Sequence, residues 1–242
     1  IKEALEIDDN RGDFYVSLAE VLMKQNKREE ALSYFELYVE KYPDHSQSYQ
    51  LLGDYFYKEG KLDEAKQNYE KSLVLSRDNI NSIMKLTLIK EKQGLYDEVE
   101  KEFINAFKYS KSANDSIVIY DAQIDYLQHR GQIQTALQIK EQMLLIVQNV
   151  YPPFAIPIFQ IMRISLYLLI NEADKALQIL NQVNGQIMDS YKGVEYEAYL
   201  KYHIYQKEVV RSEEILELLR SGIPENGYPE SYIPYWEGEI FF

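Results

Sequence analysis

Tyr49-Gln50-Leu51-Leu52-Gly53-Asp54-Tyr55-Phe56, continued by Gly60, Leu62, Ala65 and Tyr69, decides the fold, because the same order of large and small residues recurs on both sides of it. Tyr49, Leu52, Gly53 and Phe56 fall three and four apart, the spacing of one face of a helix. The unit before places Tyr15, Leu18 and Leu22 in a helix over 13–25, then Ala31, Phe35 and Tyr38 in a second over 28–41 that Pro43 and Asp44 end. The unit after supplies Leu86, Gly94, Tyr96, Val99, Phe103 and Ala106. Gly60 and Gly94 are 34 residues apart, and so are Ala31 and Ala65. A fixed period of this size predicts stacked helix pairs, each contacting only its neighbours.

The layout resembles the tetratricopeptide repeat, a helix-turn-helix unit with a large-leucine-glycine-aromatic signature and a small residue early in its second helix. Tyr49, Leu52, Gly53, Phe56, Ala65 and Tyr69 match that signature best. The resemblance implies an all-α fold, a right-handed α-α superhelix (solenoid) of antiparallel helix pairs. Gly53 and Ala65 are expected where the two helices of a pair approach most closely, while Tyr49, Phe56 and Tyr69 fill the wider gaps.

Measured against this unit, 12–45, 46–79 and 80–113 read as regular repeats. Residues 1–11 read as the end of a cut repeat, with Asn10 and Gly12 stopping its helix. Beyond Ser110 the period lengthens, Gly131 following Gly94 by 37 residues. A loop is expected over 110–116, then irregular repeats at 114–150, 151–190 and 191–230. Their helices are expected over 116–130, 134–148, 154–170, 173–188, 191–206 and 209–221, followed by a loop over 222–230. Residues 231–242, with Gly238 in the place held by Gly53, read as the start of another cut repeat. The whole is expected to be one solenoid belonging to a longer protein.

Composition narrows the function. Hydrophobic residues at 46% and charged residues at 27% suit a folded chain. The net charge of -13 is spread along the sequence and disfavours nucleic acid and anionic membrane while attracting basic partners. The longest apolar stretch, 154–170, carries Pro157, Gln160 and Arg163 and is too short and interrupted to span a bilayer. No cysteine is present, so disulfides and thiolate metal sites are excluded. No leader pattern opens the chain, and the expected compartment is the cytoplasm, export remaining an alternative.

No catalytic constellation emerges. His45, His129 and His203 lie in different units without a second ligand at metal spacing, and each is expected at the surface or in a groove. Adjacent acids such as Asp8-Asp9, Glu29-Glu30 and Glu213-Glu214 point about 100° apart on a helix and share no substrate. Phosphate-binding glycine loops, nucleophile elbows and zinc helices are missing from the sequence. No cofactor is expected, and the chain reads as a non-enzyme. One glycosylation triplet, Asn114-Asp115-Ser116, falls in the expected loop.

In solenoids of this family the first helix of each pair lines a concave surface, and the resemblance implies that ligand peptides lie there. Projecting the register gives Val16, Glu20 and Met23, then Gln50, Asp54 and Tyr57, then Met84, Lys85 and Leu88, and finally Asp121, Asp125 and His129. A protein segment with apolar anchors and some Lys or Arg would suit this mixture; the alternative is that these residues face water or a neighbouring helix. The chaperone-binding modules of the family hold a C-terminal carboxylate with lysine, asparagine and arginine. The corresponding places here carry Val16, Glu20, Leu51, Asn81 and Lys85, of which only Lys85 is suitable. The expected function is therefore a scaffold for protein or peptide binding. Its rivals are a peptide-sensing regulatory domain, a self-association scaffold built on 154–170 or 232–242, and a module attached to an enzyme outside the segment.

Overall fold

A computed structural model describes residues 12–226, 235, 236, 239 and 240. Among these residues the fold is all-α. The helices are α1 Gly12–Lys24, α2 Arg28–Lys41, α3 Ser46–Lys58, α4 Leu62–Leu75, α5 Ile80–Lys92 and α6 Tyr96–Tyr109. They continue as α7 Ala113–His129, α8 Ile133–Val150, α9 Ile156–Ile161, α10 Ile164–Leu169, α11 Ala173–Val183, α12 Lys192–Tyr205 and α13 Val209–Asn226. Two single 3-10 turns, Pro153–Ala155 and Asp189–Tyr191, precede α9 and α12. The chain divides into two compact units, Ile1–Ala122 and Gln123–Phe242, with the division inside α7.

In the first unit the helices pack as consecutive pairs, α1 with α2, α3 with α4 and α5 with α6, and each pair adjoins the next through α2/α3 and α4/α5. The 34-residue register explains the core. Ala31, Ala65 and Val99 hold one small position at 0% exposure, and Phe35, Tyr69 and Phe103 fill the large one a turn later. Gly53 sits where α3 meets α4: a Cβ there would lie 2.7 Å from the Tyr69 ring, so the smallest residue stands against the largest. Gly12 does the same at the opening of α1, where a Cβ would meet the Tyr38 ring at 2.7 Å. It therefore begins a helix, whereas sequence reading had it end one.

The turn between paired helices is a Schellman cap. In the central unit Lys61 N donates to Phe56 O at 2.9 Å around Gly60, whose φ of +74° is open to glycine without a Cβ penalty. The same bond recurs around Asn26, Gly94, Gly131, Asn171 and Lys207, all at positive φ. The glycine signature fades in the second half, but the turn it encoded persists, because asparagine tolerates this region and Lys207 is held in it by the closing bond from Glu208 N to His203 O.

Several expected boundaries shift. The loop over 110–116 shrinks to three residues because Ser112 and Asp115 form a capping box. Asp115 Oδ2 accepts from Ser112 N at 2.9 Å and Ser112 Oγ accepts from Asp115 N at 3.1 Å. Asn114 consequently lies in the first turn of α7. The apolar segment 154–170 is two short helices, α9 and α10, parted at Met162–Arg163. Arg163 stands at that break and its guanidinium reaches Glu141 of α8 at 2.6 Å; an arginine in an apolar stretch needs such a partner. The helix expected over 173–188 stops at Val183, and α13 runs on to Asn226 through the expected loop at 222. A proline near a helix end removes only one bond of the ladder.

Two buried clusters stand out among the described residues of the second unit. Ile161, Ile164, Leu168, Ala176, Leu180 and Val183 join α9, α10 and α11, with Ala198 and Tyr202 of α12 closing over them. Leu200, Leu216 and Leu219 pack with Trp236 and Ile240. Those two, with Tyr235 and Glu239, are the described part of the expected repeat start at 231–242, and they are helical. The expected helix end at 1–11, the rest of 231–242 and the loop residues 227–230 lie outside the described residues.

Candidate partner-binding surface

The surface is built from α1, α3 and α5, the first helix of each pair in the first unit. Between α1 and α3 opens a cavity of about 530 Å³ lined by Glu20, Met23 and Lys24 from α1, Phe35 from α2, and Leu51, Asp54, Tyr55 and Lys58 from α3. Its floor is apolar, Phe35 and Tyr55 being buried with ring centroids 5.9 Å apart. Its rim carries two acids and two lysines. Three of the residues projected from sequence, Glu20, Met23 and Asp54, thus come together here.

Asp54 is held in place from beneath. The Tyr69 hydroxyl donates to its Oδ1 at 2.8 Å. Burial first, then the charge of Asp54 and this hydrogen bond, push the Tyr69 phenol well above its usual pKa and keep it a donor. Tyr55 is also raised, by burial first and then by Glu59. Glu59 in turn accepts both bonds of a fork from Arg28 Nη1, at 3.0 and 3.1 Å, which ties the start of α2 to the end of α3.

The other projected residues divide. Tyr57 is half-buried and receives two ammonium groups on its ring, Lys85 at 5.3 Å and Lys92 at 4.9 Å from the centroid. Gln50 is occupied by Asn79, which donates to its Oε1 at 3.2 Å. Val16, Leu88 and Asp121 are half-buried. Met84 is 3% exposed and belongs to the core, so no partner could touch it. Asp125 and His129 are exposed on the part of α7 that belongs to the second unit. His203, expected at the surface, is buried, with Nδ1 2.7 Å from Glu208 and its ring stacked on Tyr199.

The residues projected from sequence did not include Lys24 and Lys58, which line the cavity. The signal was available, since each stands two residues before the turn residue of its unit and they are 34 positions apart. A second cavity of about 520 Å³ lies in the same unit, among α4, α5 and α6. Its principal charges satisfy one another: Lys90 Nζ is 2.8 Å from Glu102 and 3.3 Å from Glu98. Burial works against that ammonium, but the two carboxylates outweigh it and raise its pKa. Among the described residues no group of three or more His, Cys, Asp or Glu side chains could hold a metal ion. No helix among them is long and apolar enough to cross a membrane.

Tetratricopeptide repeat family models match the sequence at residues 13–45 and 46–79. No curated protein matches it. Solved structures resemble the whole chain in fold. A tetratricopeptide repeat protein from Parabacteroides merdae superposes with a TM-score of 0.67 at 14% identity, over 100% of this chain and 90% of that one. Yeast Tom70 gives 0.72 at 16% identity, over 99% of this chain and 48% of Tom70. The Cut9–Hcn1 hetero-tetramer of the APC/C gives 0.62 at 13% identity, over 100% of this chain and 45% of the matched one.

Proposed function

We propose that the chain, a tetratricopeptide repeat protein, is a protein-binding scaffold that takes a segment of its partner across the first-helix face of its first unit. The cavity between α1 and α3 carries the reading: an apolar floor of Met23, Phe35, Leu51 and Tyr55 on which leucine or aromatic side chains of a partner would pack, under a rim of charged groups that would fix their orientation. Protein interaction is the general use of such repeats, and one fold relative, Cut9, was solved in complex with Hcn1. Asp54, fixed by Tyr69, and the exposed Glu20 would accept hydrogen bonds from the partner's backbone or from its Lys and Arg side chains.

Methionine methyl groups give a direct test, since the chain has five methionines. Selectively labelled protein is titrated with an array-selected peptide carrying a leucine anchor. The Met23 methyl resonance is expected to move, while those of Met162 and Met188, 44% and 49% exposed in the second unit, stay where they are. Movement at Met162 or Met188 without Met23, or no movement with any peptide, would reject the assignment.

A further inference from the structure

In each turn within a helix pair, the residue whose carbonyl oxygen accepts the closing bond holds the same place in its unit. Those residues are Leu22, Phe56, Lys90, Leu127, Tyr167 and His203. All but one carry an aliphatic side chain or a ring. Lys90 ends instead in an ammonium, which Glu98 and Glu102 of α6 hold at 3.3 and 2.8 Å. The ring at the equivalent place in the unit before has a packing role: Phe56 lies against the cluster that contains Leu22, Phe35 and Leu52 and also against that of Ala65, Tyr69 and Ile89. No such ring stands at Lys90, which lines the cavity of about 520 Å³ among α4, α5 and α6. Ile83, Thr87 and Ile89 of α5 are its buried floor. The cavity follows α5 from Arg77, just before the helix starts, to Lys90 in its last turn, about 15 Å of helix. Along its rim Lys66 is 3.9 Å from Glu70 and Lys90 occupies both Glu98 and Glu102, whereas the exposed Arg77 has no acid partner among the described residues.

We propose that this cavity, lined by the second helices α4 and α6, is a docking site for a partner segment that supplies the ring its own unit lacks. A Phe, Tyr or Trp side chain of the partner packs on Leu86 beside Lys90, two residues four apart on one face of α5, and an Asp or Glu of the same segment pairs with Arg77. A ring fits this place better than an aliphatic group, because the Lys90 ammonium is attracted to an aromatic face. The charges decide the second contact. A carboxylate at Arg77 gains a partner without breaking the Lys66–Glu70 or Lys90 pairs, whereas a base there meets a like charge. Because an extended chain rises about 3.3 Å per residue, the ring and the acid stand about three to five residues apart. The cavity also exceeds one side chain, so the backbone between them lies within it. None of this depends on the α1–α3 cavity, which other helices build.

The test uses the whole chain and short synthetic Gly/Ser peptides that carry one tryptophan and one glutamate at each of those spacings. Fluorescence anisotropy is expected to show binding that drops about tenfold or more when alanine replaces the tryptophan. In the parent, replacing the glutamate by glutamine is expected to cost about threefold, and the Arg77→Gln variant to lose that preference. Lys90→Phe restores the ring from within: its melting temperature is expected to stay at or above the parent's, while it loses the peptide. In methyl spectra of the parent, Ile83 and Ile89 are expected to shift on titration and Met23, in the α1–α3 cavity, to stay put. Equal binding of the tryptophan and alanine peptides, no binding by any of the set, or full binding by folded Lys90→Phe would overturn the proposal. Shifts at Met23 in place of Ile83 and Ile89 would also overturn it and leave the α1–α3 site standing. Should Lys90→Phe not fold, the isoleucine shifts of the parent decide the matter. A dimer in sedimentation that Lys90→Phe or Arg77→Gln dissociates would assign the cavity to a second copy of the chain and sink the proposal.

Discussion

At the scale of single residues, the tightest constraint is the contact of Gly53 with Tyr69. The glycine leaves room for the ring, the ring fills the gap between α3 and α4, and the hydroxyl at its far end fixes Asp54 on the opposite surface. Packing and site are thus joined through one side chain. Tyr69→Phe is expected to cost about 1–2 kcal/mol in a denaturant titration, since it removes a hydrogen bond to a carboxylate without leaving a cavity. The same variant has a pH signature. The folded Tyr69 phenol is raised, so above about pH 10 the unfolded chain releases a proton that the folded chain retains. The unfolded state then binds fewer protons, and stability falls as pH rises. In Tyr69→Phe that contribution disappears, so stability should decline less steeply above about pH 10; an unchanged slope would show that Tyr69 is not the group responsible. Gly53 and Tyr69 were legible in the sequence as a small residue and a large one, but their bond to Asp54 was not, because a hydroxyl's partner depends on where two helices cross.

Among the elements, the joint between the second and third helix pairs shows how polar residues are buried without loss. Ser72 and Ser82 are 0% exposed and their hydroxyls are 2.9 Å apart. Asn79 donates to Ser72 at 3.2 Å and to Gln50, while its Oδ1 caps α5 by accepting from Ser82 N at 3.1 Å. One side chain therefore ends the connection, starts the helix and satisfies its neighbours. Asn79→Ala is expected to lower stability by about 1–2 kcal/mol, measured as a shift of the urea midpoint with little change in slope. Helix pairs were readable as elements because a 34-residue period repeats both the apolar stripe and the turn. Beyond Ser110 the elements depart from composition where local bonds form: the Ser112–Asp115 box draws residues out of a loop, and Arg163, at the break in an apolar run, pairs with Glu141.

For the whole molecule, net charge makes stability depend on salt. A net charge of -13 repels itself in the folded state, so raising salt from about 10 to 150 mM should increase the melting temperature by a few degrees. Calorimetry on the free chain would display this trend, and a chain that melts lower in salt would mean that its ion pairs outweigh its repulsion. The sequence by itself determined that this is a stack of helix pairs, where their turns fall and which positions must be small or large, because a repeat needs only local periodicity and nearest-neighbour packing. The tertiary structure decided which projected side chains stay accessible: Met84 sank into the core, and Gln50 and Asp54 acquired partners from other helices. Period counts residues along the helix axis, whereas exposure and partnership depend on how far each helix rotates against its neighbour, and only packing sets that rotation.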